Sequence, residues 1–204
     1  MPALYQDIDL PDMDDTACLA LIERRLISDE LLRGRKGRSR RTSRVLIRRD
    51  EAVSVMIGEE DHLRIQAMTP GLDLDQANRL AEEMAVLIEE KMAVAYSEQY
   101  GFLTACPTNT GTGMRASVMA HLPGLTEIGQ IAGLKRRLER LGFAVRGAYG
   151  EGSDAGACQY QISNQVTLDL SEADILTEIY FAMCLISGAA VAGATGKPTR
   201  RITS

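Results

Sequence analysis

Residues 59–64 read Glu-Glu-Asp-His-Leu-Arg. Adjacent acids repel one another, and burying them is unfavourable unless cations partner them. A guanidinium is such a cation, because its planar fork of donors matches a carboxylate. A carboxylate beside an attacking nitrogen can orient that nitrogen and take its proton as a bond to phosphorus forms. Arg64, four residues after Glu60, could point at phosphate oxygens. The same residues would also make a plain acidic turn after a strand.

Two further stretches have residue types suited to the same chemistry. Cys106-Pro-Thr-Asn-Thr-Gly-Thr-Gly-Met-Arg115 combines glycines, which let backbone approach a ligand, with a fixed positive charge. A cysteine in an electropositive loop can sit as a thiolate, which would suit a guanidinium. The alternative is a glycine-rich turn with an inert thiol. Arg146-Gly-Ala-Tyr-Gly-Glu-Gly-Ser153 supplies another arginine at a strand end, followed by a flexible loop. Phosphoryl transfer is mainly positioning and charge neutralisation, which arginines from separate strand ends can provide. This stretch would also serve as a simple hairpin loop. Gly193–Pro198, GATGKP, does not make a phosphate loop: the G-x-x-x-x-G-K-[ST] spacing fails and Pro198 stands where a hydroxyl is needed.

The elements that must position these residues follow from periodicity. Thr16–Ser28 reads as a short helix with Asp14 or Asp15 as its cap. Ala52–Ile57 is rich in β-branched residues and reads as a strand, and His62–Met68 as a second. Asp73 or Asp75 opens a long helix to about Gln99. Phe102–Cys106 and Met114–Leu122 read as strands, Pro123–Gly142 as one helix closed by Gly142. Phe143–Tyr149 and Gln159–Leu168 read as strands, and Ser171–Asp174 as a capped helix start that fades into the C-terminal segment. Strands joined by both hairpin-like links and helices predict an α+β fold with a largely antiparallel sheet.

Composition narrows the rest. The chain has 204 residues, 45% hydrophobic and 25% charged, enough for one domain with a substantial core. No apolar run reaches the ~18 residues of a membrane span, and the acidic N-terminus lacks a signal-peptide pattern. No membrane association and a cytoplasmic location are therefore expected. Cys18, Cys106, Cys158 and Cys184 are widely spaced and do not cluster with His62 or His121, so neither a disulfide framework nor a metal site is expected. Net charge is -5, yet Arg33 to Arg49 holds nine basic residues without an acid. Such a run can contact nucleic acid. Lacking interleaved aromatics, it reads better as a solvated basic loop balancing an acidic body.

SVMIGEEDHLRIQAM (54–68), YGFLTACPTNTGTGMRASVMAHLP (100–123) and VRGAYGEGSDAGACQYQISNQVTL (145–168) together resemble the phosphagen (ATP:guanidino) kinase family, most of all its bacterial protein-arginine kinase branch. ALIERRLIS (20–28) resembles it more weakly. The resemblance implies a large antiparallel sheet flanked by helices, similar to the glutamine synthetase catalytic domain. It implies transfer of the ATP γ-phosphate to an arginine guanidinium, with protein arginine as the favoured acceptor and Mg²⁺ bound through the nucleotide. By position, Glu60 would be the catalytic carboxylate with Glu59 beside it, and Cys106 the guanidinium-facing thiol. Arg64, Arg115, Ala116, Ser117, Val118, Met119, Arg146, Gly147, Ala148, Tyr149, Gly150 and Glu151 would line the ATP site. Glu60, Cys106, Glu151 and Ser153 would grip the target arginine.

The same resemblance implies a partial catalytic domain over residues 1–175, with the basic loop at 33–49, and a divergent tail over 176–204. A family Ser-Ser-Arg-x-Arg segment has no match upstream of residue 20, so truncation at both ends is expected. Arg25 stands where the family has a histidine, and Gly58 where it has an asparagine. An inactive remnant that binds arginine or phosphoarginine peptides is the alternative expectation. Exposed sheet edges left by truncation would favour a homodimer.

Overall fold

The computed structural model describes residues 4–35, 43–147 and 158–194. The chain divides into two compact units, one of residues 1–95 and 104–106, the other of residues 96–103 and 107–204.

The first unit is built on the β-branched strands. β1 (Tyr5–Asp9), β2 (Arg44–Arg48), β3 (Val53–Ile57) and β4 (Leu63–Ala67) form an antiparallel sheet in the order β1-β2-β3-β4. Registers such as Val45↔Met56 and Met56↔Arg64 set which side chains share a face. On one face, Val45, Ile47 and Met56 join Leu10, Leu21, Leu26 and Leu31 in a single core cluster. The last four come from α1 (Asp15–Glu23), α2 (Asp29–Arg35) and the segments beside them. Alternation puts Val53 and Val55 on the opposite face, and both are buried. α3 (Leu74–Glu89) packs against β4.

β2 corrects the expected basic loop over 33–49. Its Val-Leu-Ile centre alternates, with Val45 0% and Ile47 5% exposed, so it makes a central strand with arginines at its ends. Those arginines are paired within the chain. Arg44 meets Asp7 and Asp9, at 3.2 and 3.6 Å, and Arg48 meets Asp50 at 2.7 Å. α2 occupies residues 29–35, and residues 36–42 lie outside the described residues. β1, in an acidic stretch with little apolar content, was not expected; pairing with β2 creates it.

α3 ends ten residues before the expected Gln99. Met92 continues the apolar spacing but is 56% exposed, so continuing the helix would bury nothing. α1 likewise stops at Glu23, five residues short. Its end is a left-handed cap in which Arg25 (φ 62) donates to the Ile22 carbonyl and Leu26 to the Leu21 carbonyl.

The second unit contains a small hairpin, β5 (Tyr96–Ser97) and β6 (Gly101–Phe102), and a three-stranded antiparallel sheet. Its strands are β7 (Ser117–His121), β8 (Phe143–Gly147) and β9 (Gln159–Asn164), in the order β7-β9-β8. α4 (Pro123–Glu127), α5 (Ile131–Arg140) and α6 (Glu172–Ala194) accompany it. The single helix expected over Pro123–Gly142 is two, because Gly129 adopts φ 68 and the Gln130 amide turns back to the Leu125 carbonyl. Gly142 (φ 88) ends α5 as expected.

α6 begins in a reciprocal cap: Ser171 Oγ accepts the Asp174 amide and the Asp174 carboxylate accepts the Ser171 amide. The helix then runs to Ala194 instead of fading, burying Ile175, Ile179, Ala182 and Ile186 against β9, α4 and α5. Over Glu172–Val191 it is long and apolar enough to cross a membrane, with mean hydropathy 1.5. That corrects the expectation of no such segment. Glu172, Asp174 and Glu178 interrupt the apolar run but do not lower its average enough.

Candidate functional site

The acidic cluster forms the β3–β4 turn. Gly58 takes φ 78 and its amide donates to the His62 carbonyl at 3.1 Å. This left-handed conformation suits glycine and asparagine above other residues.

The three acids of the turn have different surroundings. The Glu59 side chain is only 3% exposed. Its Oε1 accepts the Ser28 hydroxyl at 2.5 Å and Arg64 Nη1 at 2.6 Å, and its Oε2 accepts the Glu60 amide at 3.3 Å. A nearly buried carboxylate is thereby matched by a guanidinium and a hydroxyl, the condition under which burying a charge is tolerable. Asp61 Oδ1 accepts the Ala105 amide at 2.7 Å. Glu60 is exposed, and its carboxylate makes no hydrogen bond or ion pair among the described residues. On residue types the three acids read alike, and the family resemblance singles out Glu60; the fold separates two structural carboxylates from one open one.

The Asp61 contact also brings the cysteine segment to the turn. Residues 104–106 belong to the first unit, with Thr104 Oγ donating to the Cys106 carbonyl at 2.7 Å. These side-chain partners replace ladder bonds, so the strand expected over Phe102–Cys106 stops at Phe102. Cys106 is half-buried and one residue from the amide held by Asp61. Glu59, Glu60, Arg64 and Cys106 therefore share one unit.

The Arg64 side chain is 47% exposed, so its Glu59 contact does not enclose it. The other expected nucleotide residues lie in the second unit. Arg115 is exposed, with Nη2 3.4 Å from Asn109 Oδ1. Ala116 is buried and its amide donates to Asn164 Oδ1 at 2.9 Å. Ser117, Val118 and Met119 form the first part of β7, with Ser117 Oγ accepting from Gln161 Nε2 at 3.1 Å. Register places Met119 and Arg146 both opposite Gln161, so those side chains share one sheet face, while Val118 shares the other with Ile162. Gly147 ends β8. Ala148, Tyr149, Gly150, Glu151 and Ser153 lie outside the described residues.

The glycine loop is shaped mainly by its own chain. A Cβ on Gly111 (φ 117) would collide with the Thr167 carbonyl, and one on Gly101 with the Gly111 carbonyl. Thr167 is 4% exposed; its hydroxyl faces the Thr108 and Thr110 carbonyls at 3.0 and 2.7 Å. Asn164 is 2% exposed and donates to the Met114 and Val166 carbonyls as well as accepting from Ala116. Sequence reasoning singled out none of Ser28, Asn164 and Thr167. All three stand inside the stretches that carry the family resemblance, Ser28 as the last residue of ALIERRLIS.

Comparison with known proteins places this geometry. The chain matches the model for the ATP:guanido phosphotransferase C-terminal catalytic domain over residues 4–187, and it belongs to that family. The protein-arginine kinase of Caldanaerobacter subterraneus subsp. tengcongensis is 51% identical over 160 residues, covering 78% of this chain and 46% of that protein. The protein-arginine kinase of Brevibacillus brevis is 47% identical over 161 residues, covering 78% and 43%. The chain thus spans about half the length of the curated relatives it matches. Among solved structures, the duplicated taurocyamine kinase of Schistosoma mansoni with bound transition-state analogue components aligns with a TM-score of 0.78 at 27% identity. It covers 91% of this chain, which in turn covers 26% of it. A lombricine kinase aligns at TM-score 0.79 and 22% identity over 97% of this chain and 56% of its own, a likeness of fold alone. The expected α+β class and the guanidino kinase resemblance are both borne out.

Proposed function

We propose that this chain carries the catalytic part of an ATP:guanidino phosphotransferase acting on arginine in proteins. The observation that carries the reading is the division of the acidic turn: Glu59 is neutralised by Arg64, while the Glu60 carboxylate is exposed and unengaged among the described residues. A net negative turn with one open carboxylate fits a cationic guanidinium. Glu60 orients the guanidinium and accepts its proton as nitrogen bonds to the γ-phosphorus of ATP and the bond from that phosphorus to the bridging oxygen breaks, releasing ADP. Cys106, carried beside the turn by Asp61, adds a thiol on the guanidinium side. Arg64, Arg115 and Arg146 suit nucleotide phosphates, with Mg²⁺ carried by the nucleotide; ATP supplies the transferred phosphoryl group. Protein arginine as the acceptor is supported by the names of the relatives.

The test is formation of acid-labile phosphoarginine on a protein substrate with Mg²⁺ and ATP. Glu60→Gln is expected to lower the rate by about 100-fold or more while leaving the unfolding midpoint unchanged. An equal rate in that variant, or no product from folded wild type, overturns the reading. Binding of arginine peptides without ATP turnover identifies a non-catalytic recognition module instead.

A further inference from the structure

Ser28 stands at the start of α2, and its hydroxyl has two partners. It accepts the Leu31 amide at 3.2 Å, which caps α2, and it donates to Glu59 Oε1 at 2.5 Å. A hydroxyl has one proton to donate, and here it donates to the carboxylate. The same Glu59 oxygen holds Arg64 Nη1 at 2.6 Å. Ser28 and Arg64 therefore converge on one atom of a side chain that is 3% exposed.

The corner bearing Ser28 is anchored independently. α1 ends in the left-handed Arg25 cap, and the Arg25 carbonyl accepts the side-chain amide of Gln66. Gln66 lies on β4 two residues beyond Arg64, so both side chains project from one face of that strand. The α1–α2 corner is thus tied to the β3–β4 hairpin at two points: Gln66 to Arg25, and Ser28 to Glu59.

We propose that Ser28 is a positioning residue for nucleotide phosphates, acting through Glu59 to fix the Arg64 guanidinium; this rests on the phosphate role given to Arg64 above. Without the hydroxyl, Glu59 Oε1 keeps a single donor, and the carboxylate can turn about its last torsion and carry Arg64 with it. A role confined to capping α2 would alter stability and leave nucleotide affinity untouched. Glycine separates the two roles, because it serves at an N-cap nearly as well as serine yet lacks the donor.

The experiment is calorimetric binding of Mg·ATP to the full chain. Ser28→Gly and Ser28→Ala are expected to raise the Kd about five- to tenfold, the scale of one ordinary net hydrogen bond. Ser28→Thr, which keeps the hydroxyl, is expected to stay within about twofold of wild type on the same scale. In a Glu59→Gln background, Ser28→Gly is expected to add no further loss. Unchanged affinity in folded Ser28→Gly overturns the inference alone, as does a full additional loss in the Glu59→Gln background. Absence of Mg·ATP binding by folded wild type overturns the nucleotide reading, and this inference falls with it.

Discussion

The acidic turn at 59–61 and the glycine loop at 107–116 both present polar groups from irregular backbone, but they are held by different means. The turn is held through charge: Arg64 and Ser28 on Glu59, and Asp61 on the Ala105 amide. The loop is held by neutral, nearly buried side chains and by backbone contact, with Asn164, Thr167 and Gly111 as its fixed points. Charged contacts near solvent weaken with salt, and buried ones much less. Neutral buried hydrogen bonds do not, and breaking one strands its partner. The loop's fixed points are therefore the less sensitive of the two to salt.

Four substitutions break or sharpen that contrast. Gly111→Ala is expected to have the largest effect on stability, about 3 kcal/mol or more, because it adds a backbone clash to an unfavourable positive φ; urea unfolding measures it. Asn164→Ala follows at about 2–3 kcal/mol, since three backbone groups lose their partner, and the loss should be nearly independent of ionic strength. Its amides at 114–116 should also exchange hydrogen faster. Asp61→Ala should remove about 1 kcal/mol and speed alkylation of Cys106, whereas Asp61→Asn, which keeps the acceptor oxygen, should leave both near wild type. An alkylation rate unmoved by Asp61→Ala would mean that the turn does not position the thiol.

The smallest effect concerns the β2–β3 turn. Hydrogen bonding to Arg48 holds the Asp50 carboxyl below its ordinary range. A depressed folded-state pKa contributes stability above the unfolded value, and that contribution is lost as pH falls through the folded value, which here means below about pH 4. The Asp50 side chain is 59% exposed, so solvent screening keeps the contribution well under ~1 kcal/mol. Thermal unfolding of Asp50→Asn between pH 2 and 6 should show a slightly flatter acid limb at low salt, and no difference from wild type in high salt.

Local periodicity read the β-rich core of the first unit well. Val53–Ile57 and Leu63–Ala67 match the expected strands to within one residue. The α6 start was legible from Ser171 and Asp174, because a cap is a contact between residues three apart. Failures fell where burial overrules pattern. The apolar spacing of α3 continues through Met92 and Ala95, but the helix does not. β2 was hidden by its arginines, and β1 had no signal of its own, since its pairing partner lies some forty residues away.

The amino-acid sequence by itself determined the chemistry on offer: three acids and an arginine within six residues, a cysteine before a glycine loop, and a family pattern spread over three stretches. Only the tertiary structure decided which acid is taken and which is open. Ser28 reaches Glu59 across 31 positions, and Asp61 reaches Ala105 across 44. Contacts at such separations depend on how helices and strands pack, and no local spacing encodes them. The same holds for Gly111, whose freedom is used by the backbone of Thr167.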